Sequence, residues 1–326
     1  MLSPIKSQEV REVSKVVQIS ILGKVSGNVN ADEVIGTRVT LKKMYSSSGE
    51  VLPFVSARAV KYAIRQALKE RGFEIDPFVE NPQAEEALRL SDTGDPIKFV
   101  DNDLFGYMVT RGRGEVARRR QAPIAFSYFK ALKDTPTKAE FGARFPRKGK
   151  EEENPVPFEV EVAEFIGKVN CIIYENVGKF DEREIEDSAK KILRIEEKNG
   201  KRIYKIDDSE RTKRIKAFSE ILLAPSYVLP RRTNSLNIPE YIAALVVLSK
   251  KGPLPVFQYL DYDFKDGKVD IEKLKKLFER EEIKGKIENN EVEILLIDYF
   301  GSIKEVPQGI AKVSVSEAVE KISSFL

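Results

Sequence analysis

The segment Arg111–Arg120 reads RGRGEVARRR and is followed by QAPI, so five arginines, two glycines and one glutamate share ten residues. Guanidinium forks bind phosphate oxygens two at a time, and glycines let a backbone approach closely. A nucleotide cofactor, a nucleic-acid backbone and plain solvent are all conceivable partners. Gly112, Gly114 and Ala117 satisfy the permissive dinucleotide fingerprint, after the apolar run DLFGYMV at Asp103–Val109. A helix opening there would meet Pro123 within about two turns and carry three arginines on those turns. Asp134 has roughly the ribose-binding spacing but lies in the polar stretch KALKDTPT. The cofactor reading is therefore disfavoured. The loop's composition alone does not choose between a solvated charge run and a phosphate contact.

Three other basic clusters bear on that choice. Ser56, Arg58, Lys61 and Arg65 occupy the start and following turns of an expected helix, where free N–H groups favour anions. The three cations are spaced three and four apart and share one helical face. PRRTNS contributes Arg231, Arg232 and Asn234, and Arg144 and Arg147 sit near a hairpin tip. Each cluster alone reads as ordinary solvated surface. Together they outline a distributed phosphate track.

Composition removes several chemistries. With no histidine, a Ser-His-Asp triad and a His-ligated zinc site are excluded. The single cysteine, Cys171 in VNCIIY, allows no internal disulfide and is expected in the core. A net charge of +3 means that any polyanion site must be local. No apolar run reaches the length of a membrane span, so the expectation is a soluble, cytoplasmic protein without a cofactor.

The elements that must position these residues follow from periodicity. KVVQISILGKV, Lys15–Val25, alternates as a half-buried strand, and SGNVNADEVIG reads as a polar loop before the strand-like TRVTLKKM. VSARAVKYAIRQALKERG predicts a helix, with Ser56 as N-cap, Ala59, Ala63 and Ala67 inward, and Gly72 as the stop. Glu74–Asp103 is acidic and proline-containing, like an insertion, and DLFGYMV reads as a strand. Thr137–Val162 predicts a long β-hairpin. FDEREIEDSAKKIL and Asp208–Leu223 predict helices, EILLIDYF a strand, and a last helix runs from Val315. The order points to an α+β protein rather than a doubly wound one.

In order along the chain, ISILGKVSGNVNADEVIG, LPFVSARAVKYAIR, DLFGYM, RRRQAPIAFSYFKAL and VLPRRTNSLNIPEYIAAL resemble the backbone subunits of type I CRISPR surveillance complexes (Cascade), in the DevR-like branch of the RAMP superfamily. The resemblance covers nearly the whole chain. It implies one modified RNA-recognition-motif (ferredoxin-like) palm over residues 1–326, with a helical fingers insertion at 74–100 and a β-hairpin thumb at 138–161. It also implies copies stacked head to tail on a CRISPR RNA, a target DNA strand met through the guide, and further CRISPR-associated subunits as partners.

On that resemblance, Asn28, Asn30, Ser56, Arg58, Lys61, Arg65, Arg111, Arg113, Arg118, Arg119, Arg120, Arg144, Arg147, Arg231, Arg232 and Asn234 are the expected RNA contacts. A guide carrier must accept any spacer, which suits phosphate and 2′-hydroxyl contacts that leave base edges free. Base-stacking aromatics are missing from the first strand, which carries Gln18 and Ser20.

Catalysis is the competing expectation. Related type III subunits cut RNA with a first-loop aspartate and a divalent metal, and Asp32 occupies that loop here. The resemblance is to the non-cleaving branch, so no catalytic residue and no metal ligand is assigned. Asp101 and Asp103 are expected to end a strand or pair with arginine. No helix-turn-helix pattern supports duplex-DNA recognition.

Overall fold

The computed structural model describes residues 14–28, 31–80, 90–109, 118–146, 154–198, 200–230 and 237–326. The chain opens with strand β1 (Val16–Gly27), then β2 (Ala31–Ile35), β3 (Arg38–Leu41), β4 (Lys43–Tyr45), β5 (Val51–Val55) and helix α1 (Ala57–Glu70). Short strands β6 (Val79–Glu80) and β7 (Leu90–Ser91) precede helix α2 (Val100–Phe105), followed by β8 (Tyr107–Val109), β9 (Arg118–Arg120), β10 (Ile124–Phe126) and β11 (Phe129–Ala131). Then come β12 (Lys138–Arg144), the long β13 (Val156–Tyr174), β14 (Lys179–Asp181), helix α3 (Asp187–Lys190), β15 (Arg194–Lys198), β16 (Lys201–Lys205) and helix α4 (Asp208–Leu223). The last part holds β17 (Glu240–Ser249), β18 (Tyr262–Asp263), β19 (Lys268–Val269), α5 (Ile271–Lys275), α6 (Glu281–Glu288), β20 (Val292–Asp298), β21 (Ile310–Lys312) and α7 (Val315–Phe325).

The main sheet runs β21-β20-β17-β1-β13-β11-β5-β4, with β10 also paired to β13. Strand β1 is central because it offers both faces to the interior. Val17, Ile19, Ile21 and Val25 point to one side, as period two requires, and meet α1, α4 and α7 in the larger core. Leu22, with Leu245, Val247, Ile294 and Leu296 of neighbouring strands, faces a second core. That core is closed by Leu254, Val256, Leu260, Leu274, Leu277 and Ile283. The protein is thus α+β, with helices α1, α4 and α7 on one face of a largely antiparallel sheet.

Gln18 lies under this second layer. It is buried, donates from Nε2 to the Leu254 carbonyl at 2.8 Å and accepts from the Leu254 N–H at 2.6 Å. Ser20 donates to Asn170 Oδ1 at 2.7 Å. Gln18 and Ser20 are therefore spent inside the fold.

Strand β13 is nineteen residues long and does two jobs. Its later part pairs with β1, from Ala163↔Gly27 to Tyr174↔Val16. Its earlier part pairs with β12, from Val162↔Lys138 to Val156↔Arg144, forming a hairpin beyond the main sheet. Strand β3 runs parallel to that extension, at Arg38↔Glu159 and Val39↔Val160.

Several sequence expectations are corrected. DLFGYMV is not one strand: α2 ends at Phe105, Gly106 turns the chain at φ +73°, and β8 begins at Tyr107. FDEREIEDSAKKIL is not one helix. Asp181 and Glu184 form a capping box around a single 3-10 turn, and Ile185 is extended. There it packs with Phe180, Tyr204 and Ile206 in a small separate cluster. Part of the polar loop after β1 is strand β2, hydrogen-bonded to β3. Between Glu74 and Val100 the described residues carry β6, β7 and irregular chain, with helix from Val100, and residues 81–89 of the expected fingers insertion lie outside the described residues.

Candidate nucleic-acid interface

Helix α1 forms where the sequence signals place it. The Ser56 hydroxyl accepts from the Ala59 N–H at 3.2 Å, and Ala59, Val60, Ala63, Ile64, Ala67 and Leu68 fill the buried stripe. No acidic residue sits in its first turn. Arg58 is exposed and makes no ion pair among the described residues. Lys61 and Arg65, one and two turns on, lie over the Phe105 ring at 5.6 and 5.4 Å. Burial, and then the neighbouring Arg65 charge, lower the Lys61 pKa. Arg65 Nε stands 3.1 Å from Asp101 Oδ2, close as an ion pair but not aligned as a hydrogen bond. The shared basic face exists, but α2 covers its inner part, leaving Arg58 as its open cation.

Arg118–Arg120 form β9, paired with β8 at Val109↔Arg118, Met108↔Arg119 and Tyr107↔Arg120. Alternation along the strand gives these arginines different fates. The Arg120 side chain is 0% exposed and makes 2.9 Å and 2.6 Å ion pairs with Asp103 and Glu184. It also donates to the carbonyls of Asp103, Asn176 and Lys179 and lies over the Phe180 ring at 4.6 Å. Every donor face is engaged inside the protein, so the expected RNA contact at Arg120 is corrected to a structural tie. Arg118 is largely committed as well, to Glu186 at 2.8 Å and to the carbonyls of Thr93 and Gly94. Arg119 points outward, exposed and without an ion pair among the described residues.

Helix α2 joins the two clusters, since Asp101 meets Arg65 and Asp103 meets Arg120. Asp103 also takes Arg214 of α4 at 3.0 Å and the Gly178 N–H at 3.0 Å. Both carboxylates therefore pair with arginine, as expected. Burial raises the Asp101 pKa, against the Asp76 N–H and the Arg65 charge, which act the other way. The sequence reading missed Arg211 and Arg214. Arg211 donates to the carbonyls of Glu175, Val177 and Leu326, so it too is an internal brace.

Asn28 is buried and donates to the Glu161 carbonyl at 2.7 Å, tying the end of β1 to the hairpin. With the residue 0% exposed, its nitrogen is spent inside the fold and its buried Oδ1 has no hydrogen-bond partner among the described residues, which corrects the expected surface RNA contact. Arg144, near the hairpin end, is exposed and lies 6.0 Å from the Phe158 ring centre. Asp32 is engaged by Lys42. Asn30, Arg111, Arg113, Arg147, Arg231, Arg232 and Asn234 lie outside the described residues. Cys171 is buried, and burial pushes its thiol pKa up.

Among the described residues, Arg58 of α1, Arg119 of β9 and Arg144 of β12 are outward cations, while Arg65, Arg118 and Arg120 pair with carboxylates. The protein is of the α+β class, with these cations exposed on its surface. The chain belongs to the family described as CRISPR-associated negative auto-regulator DevR/Csa2, matched over residues 16–272.

Solved structures share its fold. One chain of a CRISPR RNA-guided surveillance complex is 12% identical, with a TM-score of 0.52, covering 95% of this chain and 98% of that one. A chain of a CRISPR RNA-guided surveillance complex in a pre-nicking state is 12% identical, with a TM-score of 0.56 and coverages of 95% and 100%. No curated protein matches the sequence.

Proposed function

We propose that this chain is a CRISPR RNA-binding backbone subunit of a type I antiviral surveillance complex in the cytoplasm. Copies stack head to tail along the guide spacer, hold its phosphates without reading bases, and leave the bases free to pair with a target DNA strand. The observation that carries this reading is membership of a CRISPR-associated family on a fold shared end to end with chains of RNA-guided surveillance complexes.

The strand order β17-β1-β13-β11, with α1 and α4 on one face, is the order of a ferredoxin-like sheet and supports a modified RNA-recognition-motif palm. The β12–β13 hairpin, with its surroundings at 138–161, serves as the thumb, and residues 74–100 as the fingers. Phe141 and Phe145 are exposed on the hairpin and its continuation, which supports contact with a neighbouring copy. A head-to-tail contact generates an open helix and suits a long guide. Arg58, Arg119 and Arg144 supply phosphate contacts, joined by those expected RNA residues that lie outside the described ones.

The test is binding of single-stranded RNA and duplex DNA over a salt series with magnesium present, followed by sizing of the RNA. Sequence-indifferent RNA binding that weakens steeply with salt, with the RNA intact, supports the proposal. Equal binding to duplex DNA defeats it. Cut RNA, with cutting lost in Asp32→Ala, replaces it with the metal-dependent endonuclease reading.

A further inference from the structure

Among the described residues, the Leu254–Leu277 layer covers part of the second face of the sheet. It lies over β1, β17 and β20, and Lys168 of β13 donates from Nζ to the Leu260 carbonyl at 2.9 Å. Beyond that edge, β5 and β11 carry side chains on the same face. Phe129 and Val55, paired in register, belong to the helix-covered core, so their neighbours Lys130 and Phe54, also paired, point the opposite way. Lys130 is in turn opposite Lys168. Phe54, Lys130 and Lys168 thus form a row across three strands.

Tyr128 completes the arrangement. Its ring stacks on Phe54 with centroids 4.9 Å apart and planes 20° apart, yet 50% of the residue remains exposed. A near-parallel stack held by the sheet leaves one broad tyrosine face toward solvent. Lys130 makes no ion pair among the described residues. Phe54 also lies two residues before Ser56, the cap of α1, at the same end of β5.

We infer that the Phe54–Tyr128 stack with Lys130 is a subsite for one nucleotide of single-stranded nucleic acid, its base stacked on Tyr128 and its phosphate beside Lys130. This rests on the RNA-binding reading above and deepens it. Every base has a π-face, so a rigid aromatic platform adds affinity without choosing a sequence. The strands that carry Phe54 and Lys130 lie on the far side of β13 from β1, where Gln18 and Ser20 are buried and unavailable.

The protein contains no tryptophan, so Tyr128→Trp installs a single tryptophan at the platform. Dye-labelled single-stranded RNA, followed by anisotropy, should quench that tryptophan as it binds. An RNA of equal length with abasic sites should bind and quench far less. Tyr128→Ala should weaken binding of ordinary RNA by roughly tenfold, while Tyr128→Phe retains it. Thermal unfolding of each variant separates loss of the platform from loss of the fold.

RNA that binds without quenching, with Tyr128→Ala unchanged, overturns the subsite and leaves the RNA-binding reading intact. Quenching by the abasic strand equal to that by ordinary RNA also overturns it. A tryptophan shift that follows protein concentration without RNA assigns the rings to a second copy of the chain and overturns the subsite. Absence of any RNA binding removes both readings.

Discussion

Arg120 and Asp103 meet Nη2 to Oδ1 at 2.9 Å with both side chains at 0% exposure, while Arg214 takes the other oxygen of Asp103 at 3.0 Å. One carboxylate on α2 thus binds guanidiniums from β9 and α4, elements that no backbone ladder connects. Glu184 and Glu210 supply the remaining charge, at 2.6 Å from Arg120 and 2.9 Å from Arg214. The network fixes the base of the arginine loop to the helix layer.

Removing Asp103 would leave two guanidiniums buried with reduced compensation. Asp103→Ala should cost on the order of 3–5 kcal/mol, the usual range for breaking a buried pair from one side. Urea unfolding of the two proteins at neutral pH measures it. A loss below about 1 kcal/mol would mean that water enters and solvates the arginines.

How much of this was legible in the sequence depends on the range of the interaction. Helices α1 and α4 and strand β1 were readable because their signals are local: a Ser56 cap, a regular apolar stripe, Pro225 soon after Leu223, and clean alternation. DLFGYMV was not, because a short apolar run suits either helix or strand and Gly106 divides it between both. In FDEREIEDSAKKIL a genuine capping box serves a single turn, since Ile185 is needed in a small core. The arginines were legible as a cluster but not individually. Arg120 finds Asp103 and Glu184 at 17 and 64 residues' separation, and composition holds no record of such pairs. The Phe54–Tyr128 stack is hidden for the same reason.

Asp101 should leave a mark on the pH dependence of stability. Burial raises its folded pKa above the ordinary value of 3.8. The folded state therefore prefers the protonated form. That contribution is fully present below the unfolded pKa and is lost as pH rises through the folded one. Asp101→Asn cannot ionise, so its stability relative to the natural protein should increase from about pH 4 upward and then level off. Unfolding both proteins in urea at several pH values from 3.5 to 7 gives the difference. A natural protein that gains on the variant with rising pH would show that the Arg65 pair outweighs desolvation.

Arg58 and Arg119 differ from Arg120 in a way that mutation can read. The first two are exposed and unpaired among the described residues, so Arg58→Ala and Arg119→Ala should change stability by less than about 0.5 kcal/mol. Each should weaken single-stranded RNA binding across all sequences and lower the salt slope by about 1. Arg120→Ala should instead lower the unfolding midpoint. Salt-dependent binding with a melting curve on each variant separates the two outcomes. An unchanged salt slope in both surface variants would remove these arginines from the phosphate track.

Phe141 tests the hairpin. It is 71% exposed and lies opposite Glu159 in the β12–β13 register. An exposed side chain contributes little to the core, so Phe141→Ser should leave folding stability within about 0.5 kcal/mol. If the hairpin reaches a neighbouring copy, the substitution should reduce cooperative filling of a long RNA while sparing binding to an oligonucleotide that fits one chain. Titrating short and long RNAs of one composition with both proteins compares those two quantities directly. Unchanged cooperativity on the long RNA would mean that this ring lies outside the contact between copies. Equal weakening on both lengths would place it against the RNA itself.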